Sequence, residues 1–272
     1  MKLTRTAAAV VERAAQPFEG MRSPRPSLLV LGYHRIDDSG SHLSVRRDDF
    51  RAHLDLIARS GLGVVNADRL DLEAHGVTGV AFTFDDGYRS VAETAWPELR
   101  SRGWPATAYV ASGYLEGNRL FPWDDGRDPT VRLMDKTDLC GLADDGMVIG
   151  SHTVNHRYLP GLRPDEARCE IVDSRSALED LLGRSVTTFS YPEGGWNHAL
   201  RDAVRRAGYQ TAVTVQRGQN RPGTDPLVLR RPIVESDPQD FARIVKGYFD
   251  FLRPVDWWRE RRRQRGVTIR HA

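Results

Sequence analysis

The chain has 272 residues, 40% of them apolar and 28% charged, and its formal net charge is +2. That balance excludes a disordered chain, and the length suits one α/β domain or two small ones. So small a net charge leaves no electrostatic footprint for nucleic acid or an acidic polymer.

The first stretch, "MKLTRTAAAVVERAAQPFEG", has one apolar patch, "AAAVV", cut off by Glu12 and Arg13. That patch is too short for a signal-peptide core. It reads as a helix or a tail, with a weak interfacial helix as the membrane-contact alternative. "SLLVLGYH" (27–34) reads as a buried strand. "DDFRAHLDLIARSG" (48–61) reads as a helix with Phe50, Leu54 and Ile57 on one face and Gly61 closing it. "GVAFTF" (79–84) is a second strand, and "YRSVAETAWPELRSRG" (88–103) a helix that Pro97 is placed to kink. "PATAYVAS" (105–112) is a strand, followed by the loop-rich, aromatic stretch 113–134. A helix over 135–146, a strand over 147–152 and a long helix over 163–183 come next. Then follow a strand (186–192), a helix capped by Asn197 (197–208), a strand (209–215), a further candidate strand (226–234) and a last helix (237–252).

Strands alternating with helices of this length imply parallel βαβ units, about seven in number, arranged as a barrel or an open sheet. In either form the active site collects at the carboxyl ends of the strands. No run reaches the length of a membrane span. Cys140 and Cys169 lack any C-x-x-C pattern, which argues against both a disulfide framework and a cysteine zinc site. Cytoplasm is the default location, with envelope association as the alternative. The basic stretch 253–272 is expected outside the core, and composition does not address the oligomeric state.

The polar residues at strand ends carry the chemistry. The strand "VAFTF" runs into Asp85 and Asp86, and Gly87 lets the chain turn sharply enough for both carboxylates to reach one cavity. Two adjacent acids at the end of an apolar strand repel unless a cation offsets them. His152 and His156, four apart, would share one face of a helical turn and bind one ion together. The zinc-protease pattern needs Glu after the first histidine, and Thr153 stands there instead. Two imidazoles and one carboxylate suit zinc, cobalt, nickel or iron, zinc being chosen on availability. One acid would bind metal while the other stays free as a base, a pairing that suggests hydrolysis. The turn "FSYPEGGWN" (189–197) either supplies backbone N–H donors for an oxyanion or is a plain strand-to-helix turn.

Three stretches together resemble one family. "TFDDGY" (83–88), "SHTVNH" (151–156) and "FSYPEGG" (189–195) are similar, in order, to the three motifs of the polysaccharide deacetylases of carbohydrate esterase family four. "LGYHRI" (31–36) and "ATAYV" (106–110) resemble flanking elements of the exopolysaccharide-modifying, nodulation-factor-deacetylase-like branch. The resemblance covers residues 28–235. It implies a distorted (β/α) barrel with about seven parallel strands. It divides the chain into an N-terminal extension (1–26), a catalytic domain (27–252) and a basic tail (253–272). It implies that Asp86, His152 and His156 hold a divalent metal, that Asp85 is the general base, and that the backbone N–H nearest Glu193 helps hold the oxyanion. The implied reaction removes acetyl from an N-acetylated sugar in a glycan or lipid-linked saccharide.

Two departures from the family pattern stand out. Ser190 occupies the place of an arginine that orients the base, and no late Leu-x-x-His supplies a general acid. Near the end only His198 and His271 remain. His34, at the end of the first strand, is the substitute acid; the alternative is a histidine merely satisfied by hydrogen bonds. Arg230 and Arg231 either orient Asp85 or bind substrate, and Tyr191, Trp123, Trp196 and Arg231 are the expected sugar contacts, with Asp124 and Asp125 beside Trp123. O-deacetylation, deformylation, or a glycan-binding protein without turnover are the rival readings.

Overall fold

The computed structural model describes residues 27–67, 79–116, 119–124 and 128–247. The expected extension 1–26, the tail 253–272 with His271, the last turns of the final helix and Asp125 lie outside the described residues.

The described strands are β1 (Leu28–Tyr33), β2 (Arg35–Ile36), β3 (Ser44–Val45), β4 (Gly63–Val64), β5 (Gly79–Phe84), β6 (Ala106–Val110), β7 (Val148–Ser151), β8 (Thr188–Ser190) and β9 (Thr211–Val213). The helices are α1 (Arg47–Ser60), α2 (Trp96–Ser101), α3 (Lys136–Asp144), α4 (Pro164–Leu182), α5 (His198–Arg206) and α6 (Pro238–Val245). One seven-stranded sheet runs β1-β5-β6-β7-β8-β9, with β4 added against β5. Every pairing in it is parallel. The sheet curls into the expected distorted (β/α) barrel. β2 and β3 pair apart from it.

Alternation along each strand sorts the side chains onto two faces. Leu29, Leu31 and Tyr33 of β1 and Val80, Phe82 and Phe84 of β5 join the large core under the helices. Their neighbours Leu28, Val30 and Ala81 join a smaller cluster with Tyr109, Val213 and Leu229 on the inner face. That inner face is unusually polar. The Tyr109 hydroxyl lies 2.8 Å from Thr188 Oγ1, and Thr211 donates to Thr188 at 2.8 Å. An inward position two residues further along a strand therefore arrives at the carboxyl-terminal rim with a polar side chain.

Two expectations are corrected. The stretch 226–234 is not a regular strand. It begins as a 3₁₀ turn, Pro226–Val228, then touches β9 through Val213–Leu229 and β1 through Gly32–Ile233. Pro232 has no N–H to give a ladder, so a single strand cannot form there. The segment still spans the gap between the first and last strands, donating to Gly32 O from Val234 N at 2.8 Å and accepting from Gly32 N at Pro232 O. The helix expected over 88–103 is split into a π-helical turn, Val91–Ala95, and α2. Pro97 then lies in the first turn of α2, where its missing N–H costs little.

Gly150 of β7 keeps the inner face open. A Cβ there would lie 2.5 Å from the Tyr109 ring and 2.8 Å from the Thr188 methyl. Gly150→Ala is expected to lower stability by about 1–3 kcal/mol through overpacking, read as a lower urea midpoint at unchanged slope.

Candidate active site

The paired acids sit where the inner face meets the rim. Asp85 follows β5 in register, its N–H donating to Tyr33 O at 2.8 Å. Two residues after Thr83, it faces inward by alternation. Asp86 (φ 72°) and Gly87 (φ 80°) are both left-handed, which folds the chain back on itself. As a result both carboxylates are buried at 2% exposure, side by side. The sharp turn expected at Gly87 is present, and Asp86 shares in it.

His152 continues β7, its N–H donating to Val110 O at 2.9 Å. Its Nδ1 lies 2.7 Å from Ser190 O. A carbonyl only accepts, so Nδ1 carries the proton and Nε2 presents a lone pair. That lone pair lies 3.5 Å from Asp86 Oδ1, and Nε2 of His156 lies 3.4 Å from the same oxygen. The helical turn expected to join the two histidines is absent; residues 152–156 form an irregular loop with Thr153 at φ 66° and His156 at φ 54°. Those two left-handed residues do what a helical turn would have done, bringing the ring centroids to 4.6 Å.

The ligand atoms of Asp86, His152 and His156 all lie within 4.8 Å of one another. Asp86 Oδ1 and His156 Nδ1 are buried and receive no hydrogen bond. A carboxylate oxygen facing an imidazole lone pair with nothing between them is unfavourable, and a divalent cation is what such a donor set fits.

The electrostatics separate the two acids. For Asp86, burial first and then the charges of Asp85 and Asp124 push the carboxyl well above the usual range. For Asp85, burial pushes upward too, but the Arg231 charge, His152 and the Arg231 hydrogen bonds outweigh it and hold the carboxyl below the usual range. Arg231 Nη1 and Nη2 each donate to an Asp85 oxygen at 2.6 Å, a bidentate pair. Arg231 also reaches Ser190 Oγ at 3.0 Å, Thr83 Oγ1 at 3.2 Å and Thr214 O at 3.1 Å. Gly32 makes room for it: a Cβ there would lie 3.3 Å from Arg231 Cδ and Nε. Arg231 thus fills the place that Ser190 leaves vacant, arriving from a different strand seam. Fully buried, it has no surface for a sugar, which corrects the expected substrate contact in favour of the other role weighed for it. Tyr191 is corrected likewise: it is buried, and its hydroxyl donates to Leu227 O at 3.1 Å.

Burial lowers the pKa of His152 to about 3 and that of His34 to about 4, and it lowers His156 as well. His34 is partly buried, and Asp85, Arg231 and His156 all act on its charge, so it lies near the paired acids; burial keeps it mostly uncharged at neutral pH. Glu193 adopts φ 53° in the 192–194 turn with its side chain exposed. Gly194 and Gly195 spend their N–H groups on Tyr191 O and Pro192 O, and the Glu193 N–H takes part in neither bond. Trp123 stands edge-on to His156 at 4.9 Å and donates to Tyr88 at 3.1 Å. Trp196 is half-buried beside the turn.

Asp124, expected beside the sugar contacts, is buried and accepts from Tyr88 at 2.6 Å. Two supports had no place in the sequence-based expectations: Arg35 and Glu170. Arg35 pairs with Asp37 and Asp128 at 2.8 Å each, tying the aromatic stretch to the β1 end. Glu170 of α4 accepts from the loop that carries His156. A charged residue among the apolar positions of α4 was the available signal for it.

Known proteins are similar to this chain in sequence and in fold. A family model described as polysaccharide deacetylase matches residues 74–212. The Bacillus subtilis (strain 168) protein named "Putative polysaccharide deacetylase YxkH" is 28% identical over 204 residues, covering 73% of this chain and 68% of its own length. IcaB from Ammonifex degensii superposes with a TM-score of 0.71 at 25% identity, covering 82% of this chain and 97% of that one. The Streptococcus pyogenes deacetylase PplD, solved with acetate, shares the fold with a TM-score of 0.69 at 23% identity, covering 81% of this chain and 99% of that one. With more than half its length matched by the family model and the paired acids and paired histidines gathered at one rim, this chain belongs to the polysaccharide deacetylase family.

Proposed function

We propose that this chain is a metal-dependent hydrolase that removes acetyl from an N-acetylated sugar of a glycan or lipid-linked saccharide. The observation that carries the reading is the close triad of buried Asp86 and His152 with half-buried His156, beside Asp85 held below the usual carboxylate range by Arg231. Asp86 Oδ1, His152 Nε2 and His156 Nε2 would hold the cation, zinc on availability. When bound, it would supply Lewis-acid activation of water and of the acetyl carbonyl.

The residues of the chain do the rest. Asp85, kept ionised and in place by Arg231, takes a proton as the water oxygen bonds to the acetyl carbon. The Glu193 N–H is the backbone donor available to the developing oxyanion. When the C–N bond breaks, the nitrogen needs a proton. His34 is neutral at rest, so the proton that Asp85 has just accepted is the nearest source, and His34 beside it is the relay. Acetate and a free amine on the sugar result. Trp123 and Trp196 offer flat apolar faces to the pyranose. Among the described residues, no helix is long and apolar enough to cross a membrane.

Acetate release from a panel of N-acetylated, O-acetylated and N-formylated saccharides tests the substrate class; release only from the O-acetyl or formyl members overturns the N-acetyl assignment. Asp85→Asn is expected to keep bound metal, measured by elemental analysis, while losing about 10²–10⁴-fold in turnover. Asp86→Ala is expected to lose the metal itself. Burial and the charges of Asp85 and Asp124 raise the Asp86 carboxyl, so any proton it holds must leave when zinc binds. Zinc affinity of the stripped protein should therefore rise with pH until Asp86 is ionised, with proton release visible in a weakly buffered titration. Arg231→Met leaves a buried carboxylate unpaired and is expected to cost about 3–5 kcal/mol in urea unfolding. The double variant Arg231→Met/Asp85→Asn should recover part of that loss.

A further inference from the structure

The two imidazoles are held in different ways. His152 has its far nitrogen fixed on Ser190 O at 2.7 Å, the usual outer support of a ligating histidine. His156 has none: its Nδ1 is buried with no hydrogen bond. Its ring is walled by Trp123 at 4.9 Å and Phe121 at 5.6 Å, and its Nε2 faces Asp86 Oδ1 at 3.4 Å. Its placement therefore depends on the backbone of residues 153–156, a loop with two left-handed non-glycine residues, one of them β-branched.

That backbone is gripped from behind by Glu170. On α4 the residue lies on the buried face with Ala167, Ile171, Ser174 and Leu178, and it is 6% exposed. A carboxylate there must find donors to offset its lost water. It finds three: Oε2 accepts from Val154 N at 3.0 Å and Asn155 N at 2.8 Å, and Oε1 from Asn155 Nδ2 at 2.9 Å. Among the described residues no arginine or lysine pairs with it. All of its bonding is thus directed at the two residues immediately before His156. Thr153 completes the loop by accepting from His156 N at 3.0 Å.

We propose that Glu170 is a positioning residue for the metal site: its carboxylate, through the Val154 and Asn155 amides, sets the angle at which His156 meets Asp86. The inference rests on the metal reading above and makes a claim of its own. The effect is one of reach, not of charge. Glu170→Asp keeps the charge but draws the carboxylate back by one methylene, away from both amides. Glu170→Gln loses the charge but keeps an oxygen at the same distance.

The test is a competition titration of zinc into metal-stripped full-length protein, with thermal unfolding of each metal-free form alongside. Glu170→Asp is expected to weaken zinc binding about 10–100-fold, as loss of an outer support does, while Glu170→Gln stays close to the parent. Ile171→Ala, one position along the same buried face, is the control for general destabilisation and should leave zinc affinity unchanged in the folded protein. The inference is overturned if Glu170→Asp binds like the parent, if Glu170→Gln is the weaker of the two, or if Ile171→Ala weakens zinc as much as Glu170→Asp does. A parent that takes up no zinc, cobalt, nickel or iron sinks both this inference and the metal reading. A parent that binds zinc tightly but releases no acetate removes the proposed reaction and leaves the role of Glu170 standing.

Discussion

The structure turns on two neighbouring carboxylates that cannot both be left buried and bare. Asp85 and Asp86 are adjacent in the chain and equally buried, yet their surroundings are opposite. Asp85 receives a guanidinium in bidentate geometry, from an arginine with no exposed surface. Among the described residues Asp86 has no arginine or lysine in ion-pair contact, only two imidazole nitrogens that face it across 3.4–3.5 Å. Pairs of titratable groups pushed apart in this way are how one site acquires distinct acid–base and ligand roles. The guanidinium also limits the repulsion between the two acids, because it neutralises one of them.

The loops around these acids are under backbone strain. Among the described residues, the non-glycine positions with positive φ are Asp86, Thr153, His156 and Glu193. All four lie just beyond the carboxyl ends of β5, β7 and β8. Each such conformation costs on the order of 1–3 kcal/mol and persists only where its surroundings over-determine it. The over-determination is visible. Gly87 shares the turn at Asp86, Glu170 clamps 154–155, and the 192–194 turn closes on its own carbonyls over a buried Tyr191. A π-helical turn, Val91–Ala95, follows the first of these loops, another irregularity of the kind that gathers near functional sites.

The inner face of the barrel supplies the base of the site. Thr83, Tyr109, Thr188 and Thr211 line it with hydroxyls that mostly bond to one another, and Arg231 passes among them to reach Asp85. A purely aliphatic interior could not have held a guanidinium without leaving donors unsatisfied. The glycines at 32 and 150 are part of the same arrangement, since a methyl group at either would press on Arg231 or Tyr109.

Much of this was legible in the chain itself, because strand alternation and local turns are short-range effects. The β1 and β5 strands, the cap at Asn197 and the parallel βαβ order follow from spacing and residue type alone. Asp85, Asp86, His152 and His156 could be named because their types and intervals are unusual at strand ends. Three things required the tertiary structure. Residues 226–234 bridge the first and last strands without forming one, which depends on where Pro232 falls against β1. The histidines meet through left-handed backbone and not through a helical turn, because the loop is held from α4. Arg231 lies 146 residues from the carboxylate it pairs with, and no local pattern encodes a contact that exists only once the barrel curls.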